Sequence, residues 1–221
     1  MENGLLISFE GLDGCGKSTQ LARLATLLRA AGIEPLLVRE PGGTPLGEQV
    51  RAILLDPQTG DIAPAAEALL YAASRAELVR STIEPALAAG RVVLVDRYVD
   101  SSLAYQGAGR GLGIERVLEA NLLATAGRLP TATILVELDA ATARERVLAA
   151  GEAEDRLEQA GSDFFARVHD AYEELAARWP ERILRIDGAG DPETVGRRVD
   201  AALAPVLAAA GIVLAPSEQP A

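Results

Sequence analysis

Eight residues near the amino end, Gly11-Leu12-Asp13-Gly14-Cys15-Gly16-Lys17-Ser18, satisfy the pattern G-x-x-x-x-G-K-[S/T]. Each residue type in the pattern has a task toward a polyphosphate. Glycines at 11, 14 and 16 let the backbone curl until successive amides face one anion. Lys17 can bridge phosphate oxygens, Ser18 offers a hydroxyl to magnesium, and Thr19 continues into a helix whose positive end faces the same anion. The expected occupant is a nucleoside triphosphate. A second cluster, Asp96-Arg97-Tyr98, puts a carboxylate and a guanidinium at the end of an apolar run. In open α/β sheets, the carboxyl ends of strands are where ligands bind.

Elements that could position these groups follow from the pattern of apolar residues. Short runs at Leu5–Phe9, Pro35–Val38, Val92–Val95, Ile134–Leu138 and Ile183–Ile186 lack alternation, as strands buried on both faces do. Helical period separates them, for example at Leu21, Leu24, Leu27 and Leu28, and at Leu69, Leu70 and Ala73. Strand followed by helix, repeated, predicts an α/β doubly wound parallel sheet of five strands. The stretch 148–162 breaks the rhythm with small and acidic residues, and it reads as a short mobile lid between two helices. Residues 1–209 form the expected single domain, and 210–221 a frayed tail.

Composition narrows the partners. With 221 residues, 49% of them hydrophobic, the chain can bury a full core. The net charge of −11, with no basic block, disfavours polynucleotides while leaving room for a small phosphorylated ligand held by a few arginines at short range. No long uncharged apolar stretch is present, and the single cysteine, Cys15, precludes an internal disulfide. A cytoplasmic protein with no membrane or nucleic-acid partner is expected. The lone histidine, His169, has no companion motif and reads as structural or solvated.

A phosphate cradle is shared by kinases, switch GTPases and partitioning ATPases. No Asn-Lys-x-Asp segment for guanine is found, which favours a kinase. Four segments make the chain resemble bacterial thymidylate kinases, from Leu5 to about Ala209. They are Glu10–Gly14, Arg39–Thr44, Leu70–Glu77, and Asp96–Tyr98 followed by Ser101–Gly107. The resemblance implies a P-loop NTPase fold and phosphoryl transfer from ATP, with Mg2+, to dTMP. Other nucleoside monophosphates, a deoxynucleoside, or a nucleotide-switched ATPase are the competing readings.

Site roles also follow from the resemblance. Asp13 would meet the deoxyribose 3′-hydroxyl, Tyr71 would stack on thymine, and Arg75 would donate to a thymine carbonyl. Ser102 and Gln106 would reach polar groups of the base, and Tyr105 would pack near the sugar 2′ carbon. Arg51 and Arg97 would clamp the acceptor phosphate, Asp96 would sit near magnesium beside Ser18, and Glu40 would shape the turn beside the acceptor. A homodimer is implied, with helices such as Ala65–Val79 as contact surface.

The chain departs from the family pattern in its supply of arginine. The loop positions Leu12 to Cys15 carry none, and 147–155 contains neither arginine nor lysine. Arg144, Arg146 and Arg156 flank that stretch. Arg146 is the expected transition-state arginine, alongside Lys17 and Arg97, and Arg156 is expected to order the lid or touch the donor nucleotide. Cys15 stands between two loop glycines, so alkylating it should fill the cradle.

Overall fold

A computed structural model describes residues 4–151, 155–157 and 159–214, apart from the side chain of Ala150. All five apolar runs form strands: β1 (Leu5–Glu10), β2 (Leu36–Arg39), β3 (Val92–Asp96), β4 (Ala132–Glu137) and β5 (Ile183–Asp187). They make one parallel sheet in the order β2-β3-β1-β4-β5. The register opposes Asp96 to both Phe9 and Arg39, so β1, β2 and β3 finish side by side at the carboxyl end of the sheet.

Burial differs among the strands in a way position explains. β1 is buried throughout, β3 and β4 are buried except at their last residue, β2 alternates without a fully buried residue, and β5 buries only Ile183 and Ile186. β2 and β5 lie at the two edges, where one face stays open to solvent. The sequence expectation of strands buried on both faces therefore holds for the central three only.

Helices cover the sheet: α1 (Lys17–Ala30), α2 (Pro45–Leu55), α3 (Pro64–Leu78), α4 (Glu84–Ala88), α5 (Val99–Ser102), α6 (Ile114–Ala124), α7 (Ala140–Ala150), α8 (Ser162–Arg178) and α9 (Pro192–Ala209). α1 buries Leu21, Leu24, Ala25 and Leu28 along one stripe, as a 3.6-residue period requires. α3 runs through a π-helical turn at Val79–Ile83 into α4, and α5 continues into another at Leu103–Gly109. Thr44, Asp139 and Asp191 cap α2, α7 and α9 through their side-chain oxygens.

α7 reaches Ala150, and so enters the stretch expected to be a lid; α8 begins where that stretch ends. After α9 the chain turns back and buries Ile212 in the core. Residues 152–154, 158 and 215–221, which include part of the expected lid and most of the expected tail, lie outside the described residues. No helix among the described residues is long and apolar enough to cross a membrane.

Candidate active site

The loop between β1 and α1 is shaped by the glycines the motif supplies. Gly11, Gly14 and Gly16 have φ of 131°, 80° and 100°, in the region that favours glycine. A Cβ at Gly11 or Gly14 would strike the carbonyl oxygen of Val136 or Ala143, so both also permit close approach of β4 and α7. α1 starts at Lys17 with no side-chain cap and no acidic residue in its first turn, leaving its amino end open to an anion. Lys17 lies back over the loop, its Nζ donating to the Leu12 carbonyl at 3.1 Å and to Oδ1 of Asp13 at 3.3 Å.

Hard oxygen donors stand beside the cradle. The Ser18 hydroxyl donates to Oδ2 of Asp96 at 2.6 Å, across the gap between α1 and the end of β3. One hydroxyl and one carboxylate suit a magnesium ion, which keeps several waters and takes few protein ligands. Among the described residues no group of three or more His, Cys, Asp or Glu forms an all-protein metal cage. Thr19 is exposed in the first turn of α1.

Arg97 follows Asp96 with φ 66°, a left-handed conformation that is uncommon for a residue with a side chain. Its amide donates to the Phe9 carbonyl, which ties β3 to β1 at the site. The guanidinium donates through Nη2 to Oδ1 of Asp13 at 2.6 Å and through Nη1 to the Ser101 hydroxyl at 3.1 Å, and it lies 5.0 Å from the centre of the Tyr105 ring. Burial alone would raise the Asp13 carboxyl. Arg97 and Lys17 outweigh it and hold the group well below the usual carboxylate range, so Asp13 stays ionised.

Two cavities meet at Asp13. One, of about 260 Å³, lies between the loop, α7 and the start of α8, with Arg144 and Val147 in its wall. The other, of about 110 Å³, is lined by Asp13, Glu40, Arg51, Tyr71, Arg75, Arg97, Ser102, Tyr105 and Gln106, together with Asp155 and Leu157. Every residue expected to hold the acceptor thus lines one cleft, although these residues come from segments more than ninety positions apart in the chain. Arg146 is exposed on α7 and lines neither cavity.

Arg75 is buried and saturated by protein. It donates through Nε to Glu40 at 2.6 Å, through Nη1 to the Ser102 hydroxyl at 2.9 Å and to Asn121, and through Nη2 to the Tyr98 carbonyl at 2.9 Å. Its Nη2 also lies 2.5 Å from the Glu40 carboxylate. Donation to a base would require it to release one of these partners, the Ser102 hydroxyl for example. Glu40 precedes a cis peptide to Pro41. Burial raises its carboxyl against the pull of Arg75, and its Oε1 is buried without a partner. Arg51 is half-buried and donates to the Pro41 carbonyl at 3.0 Å, which holds α2 against the same turn.

Arg156 lies on the acceptor side. Its backbone amide bonds Leu55, its Nε donates to the Leu54 carbonyl at 2.7 Å, and its Nη2 meets Glu67 at 2.6 Å. Glu67 is wholly buried and also accepts from Gln106 and Arg110. Sequence reasoning assigned no role to Glu67, Glu10, Asn121 or Tyr172. Glu10, at the end of β1, accepts from the Tyr98 amide at 2.7 Å, from the Ser101 hydroxyl and from Tyr172 at 3.0 Å, so it braces the turn that carries Arg97. The available signal was a solitary carboxylate in an otherwise apolar segment, which must be paired if it is buried.

Comparison with known proteins places the chain in a family. The sequence model of the family described as thymidylate kinase matches residues 9–199. The chain is 49% identical over 208 residues to the thymidylate kinase of Clavibacter sepedonicus, covering 94% of this chain and 98% of that one. It is 47% identical over 203 residues to that of Deinococcus radiodurans, covering 92% and 98%. The crystal structure of thymidylate kinase from Ehrlichia chaffeensis superposes with a TM-score of 0.74 at 30% identity, over 91% of this chain and 99% of that one.

Proposed function

The chain belongs to the thymidylate kinase family, and we propose that it transfers the γ-phosphoryl group of ATP to the 5′-phosphate of dTMP, giving ADP and dTDP. The observation that carries this reading is the position of Asp13. It belongs to the triphosphate loop, faces the acceptor cleft, and is held at once by Lys17 and Arg97.

The chemistry asked of these side chains is positioning and charge. A phosphate monoester is largely ionised near neutral pH, its second pKa being about 6, so no protein nucleophile or dedicated base is needed. Arg97 and Arg51 orient the acceptor phosphate for in-line attack, while Lys17 neutralises charge that spreads over the transferred oxygens. Magnesium, when bound at Ser18 and Asp96, supplies further positive charge to the phosphate oxygens. Gly11 to Thr19 hold the triphosphate. Tyr71, Ser102, Gln106 and Arg75 receive the base, Tyr105 packs under the sugar, and Glu40 fixes Arg75. Arg156 fastens the lid, and Arg146, exposed on α7, is assigned to the transferred phosphate.

A cytoplasmic homodimer completes the proposal. Apolar residues stay exposed on three helices packed in sequence, α2, α3 and α6: Leu46 and Ile53, Leu69, and Leu122 and Leu123. Burying such side chains against a second copy is the expected use of that surface.

The test is ADP release with ATP and magnesium against dTMP, dUMP, dCMP, dGMP, AMP, UMP and thymidine, with Lys17→Ala as control. Preference for dTMP and a silent control support the reading. ATP binding without acceptor-stimulated turnover overturns it.

A further inference from the structure

Glu67 is the most heavily engaged carboxylate near the acceptor cleft, and no step of the reaction uses it. It sits on α3 one turn before Tyr71 and two before Arg75, on the helix face that lines the cleft. Oε1 accepts from Nε2 of Gln106 at 3.0 Å and from Nε of Arg110 at 3.1 Å. Oε2 accepts from Nη2 of Arg110 at 3.1 Å and from Nη2 of Arg156 at 2.6 Å. Burial opposes its ionisation, but Arg110, Gln106 and Arg156 together hold the carboxyl below its ordinary value, so it is an acceptor only.

This has a chemical consequence for Gln106. An amide facing an ionised carboxylate must turn its NH2 group toward it. The carbonyl Oε1 is then what Gln106 offers to the cleft it lines. A carbonyl there accepts from the N3–H of thymine or uracil and repels the N3 lone pair of cytosine. The same carboxylate anchors Arg156, whose amide and Nε are fixed to Leu55 and Leu54 at the end of α2.

We propose that Glu67 is a specificity-determining positioning residue: it locks the Gln106 amide so that only a pyrimidine with a protonated N3 is accepted, and it joins that recognition to the docking of Arg156. The inference rests on the thymidylate kinase reading of the cleft. It gives the chain a reason to bury a charge on α3 where an apolar residue would pack at lower cost. A glutamine at position 67 can donate as well as accept, so the Gln106 amide would be free to turn either way.

The experiment compares kcat/KM for dTMP and dCMP in the full-length protein, with thermal melting of each variant. Glu67→Gln is expected to lower the dTMP:dCMP ratio about tenfold, the scale of one hydrogen bond gained or lost. Glu67→Asp, still acceptor-only, retains most of the preference. Gln106→Met lowers the ratio to a similar degree, and Glu67→Gln on that background lowers it no further, because the two act as a unit. A Glu67→Gln variant that slows both nucleotides alike with the ratio unchanged overturns the proposal. If Glu67→Gln does not fold, an unchanged ratio in Gln106→Met overturns it equally, and a lowered one supports it. Wild-type protein with no dTMP-dependent turnover would instead remove the functional reading beneath it.

Discussion

Nη2 of Arg97 stands 2.6 Å from Oδ1 of Asp13, so a guanidinium at the end of β3 grips a carboxylate inside the phosphate loop that follows β1. β1 and β3 are neighbours, with Phe9 opposite Asp96, which makes this contact a product of sheet register rather than of sequence proximity. Because Lys17 shares the same oxygen, the two cations proposed for the donor and acceptor phosphates are spaced by one carboxylate. That spacing suits a reaction in which a phosphoryl group passes between them.

Replacing Arg97 by lysine keeps one positive charge but loses the fork that meets Asp13, Ser101 and Tyr105 together. Arg97→Lys is expected to lower kcat on the order of 10²-fold, the usual cost of removing an aligned charge from a transferred group. Steady-state kinetics with saturating ATP and dTMP would check this. A change confined to KM would mean that Arg97 only binds the acceptor.

Cys15 is almost fully buried, its Sγ packed against Gly11, and burial pushes its thiol up from the ordinary value. The block to ATP binding expected on alkylation therefore depends on the loop opening first. Native protein should react with a thiol reagent on the order of 10²-fold more slowly than denatured protein, with ATP slowing it further. Stopped-flow labelling decides it, and equal rates in the two states would contradict the buried position. Cys15→Ala should retain activity within about twofold, since a smaller side chain leaves the cradle intact.

The residues legible in the sequence were those whose neighbours are close in the chain. The loop from Gly11 to Ser18 and the pair Asp96-Arg97 carry their own context, a strand before and a helix after. Glu67 was not legible, because its partners Gln106, Arg110 and Arg156 lie 39, 43 and 89 residues away and only the fold gathers them. Asn121 is similar: it reads as an ordinary polar residue of α6 until it is found against Arg75, 46 positions away. Strand burial was misjudged at β2 and β5 because a short apolar run does not declare whether it stands at an edge.

The exposed Leu69 on α3 offers the simplest probe of assembly, being 62% exposed on a helix that packs against α2 and α6. Leu69→Asp would place a charge in the proposed subunit contact. It is expected to raise the dimer dissociation constant at least about tenfold while leaving the melting temperature of the monomeric form unchanged. Sedimentation velocity across a dilution series measures this. Wild-type protein that sediments as a monomer throughout would remove the dimer from the proposal.

Glu10 supplies a test of the brace behind Arg97. Burial, reinforced by the negative charge of Asp100, pushes its carboxyl up from 4.5 to about 7, against the opposing effect of the Ser101 hydroxyl, Arg97 and the Tyr98 amide. Below pH 4.5 the group is protonated in both native and unfolded chains. As pH rises from there, the unfolded chain releases the proton first, and the native state keeps it until about pH 7. Stability contributed by this group is therefore present at low pH and lost across that window, by up to about 3 kcal/mol. Glu10→Gln keeps an acceptor for the Tyr98 amide and cannot ionise. Urea unfolding at pH 5 and pH 8 should show the variant gaining on the wild type as pH rises, with the m-value unchanged. A constant difference between the two proteins would mean that Glu10 titrates as an ordinary carboxylate and that its hydrogen bonds outweigh its burial.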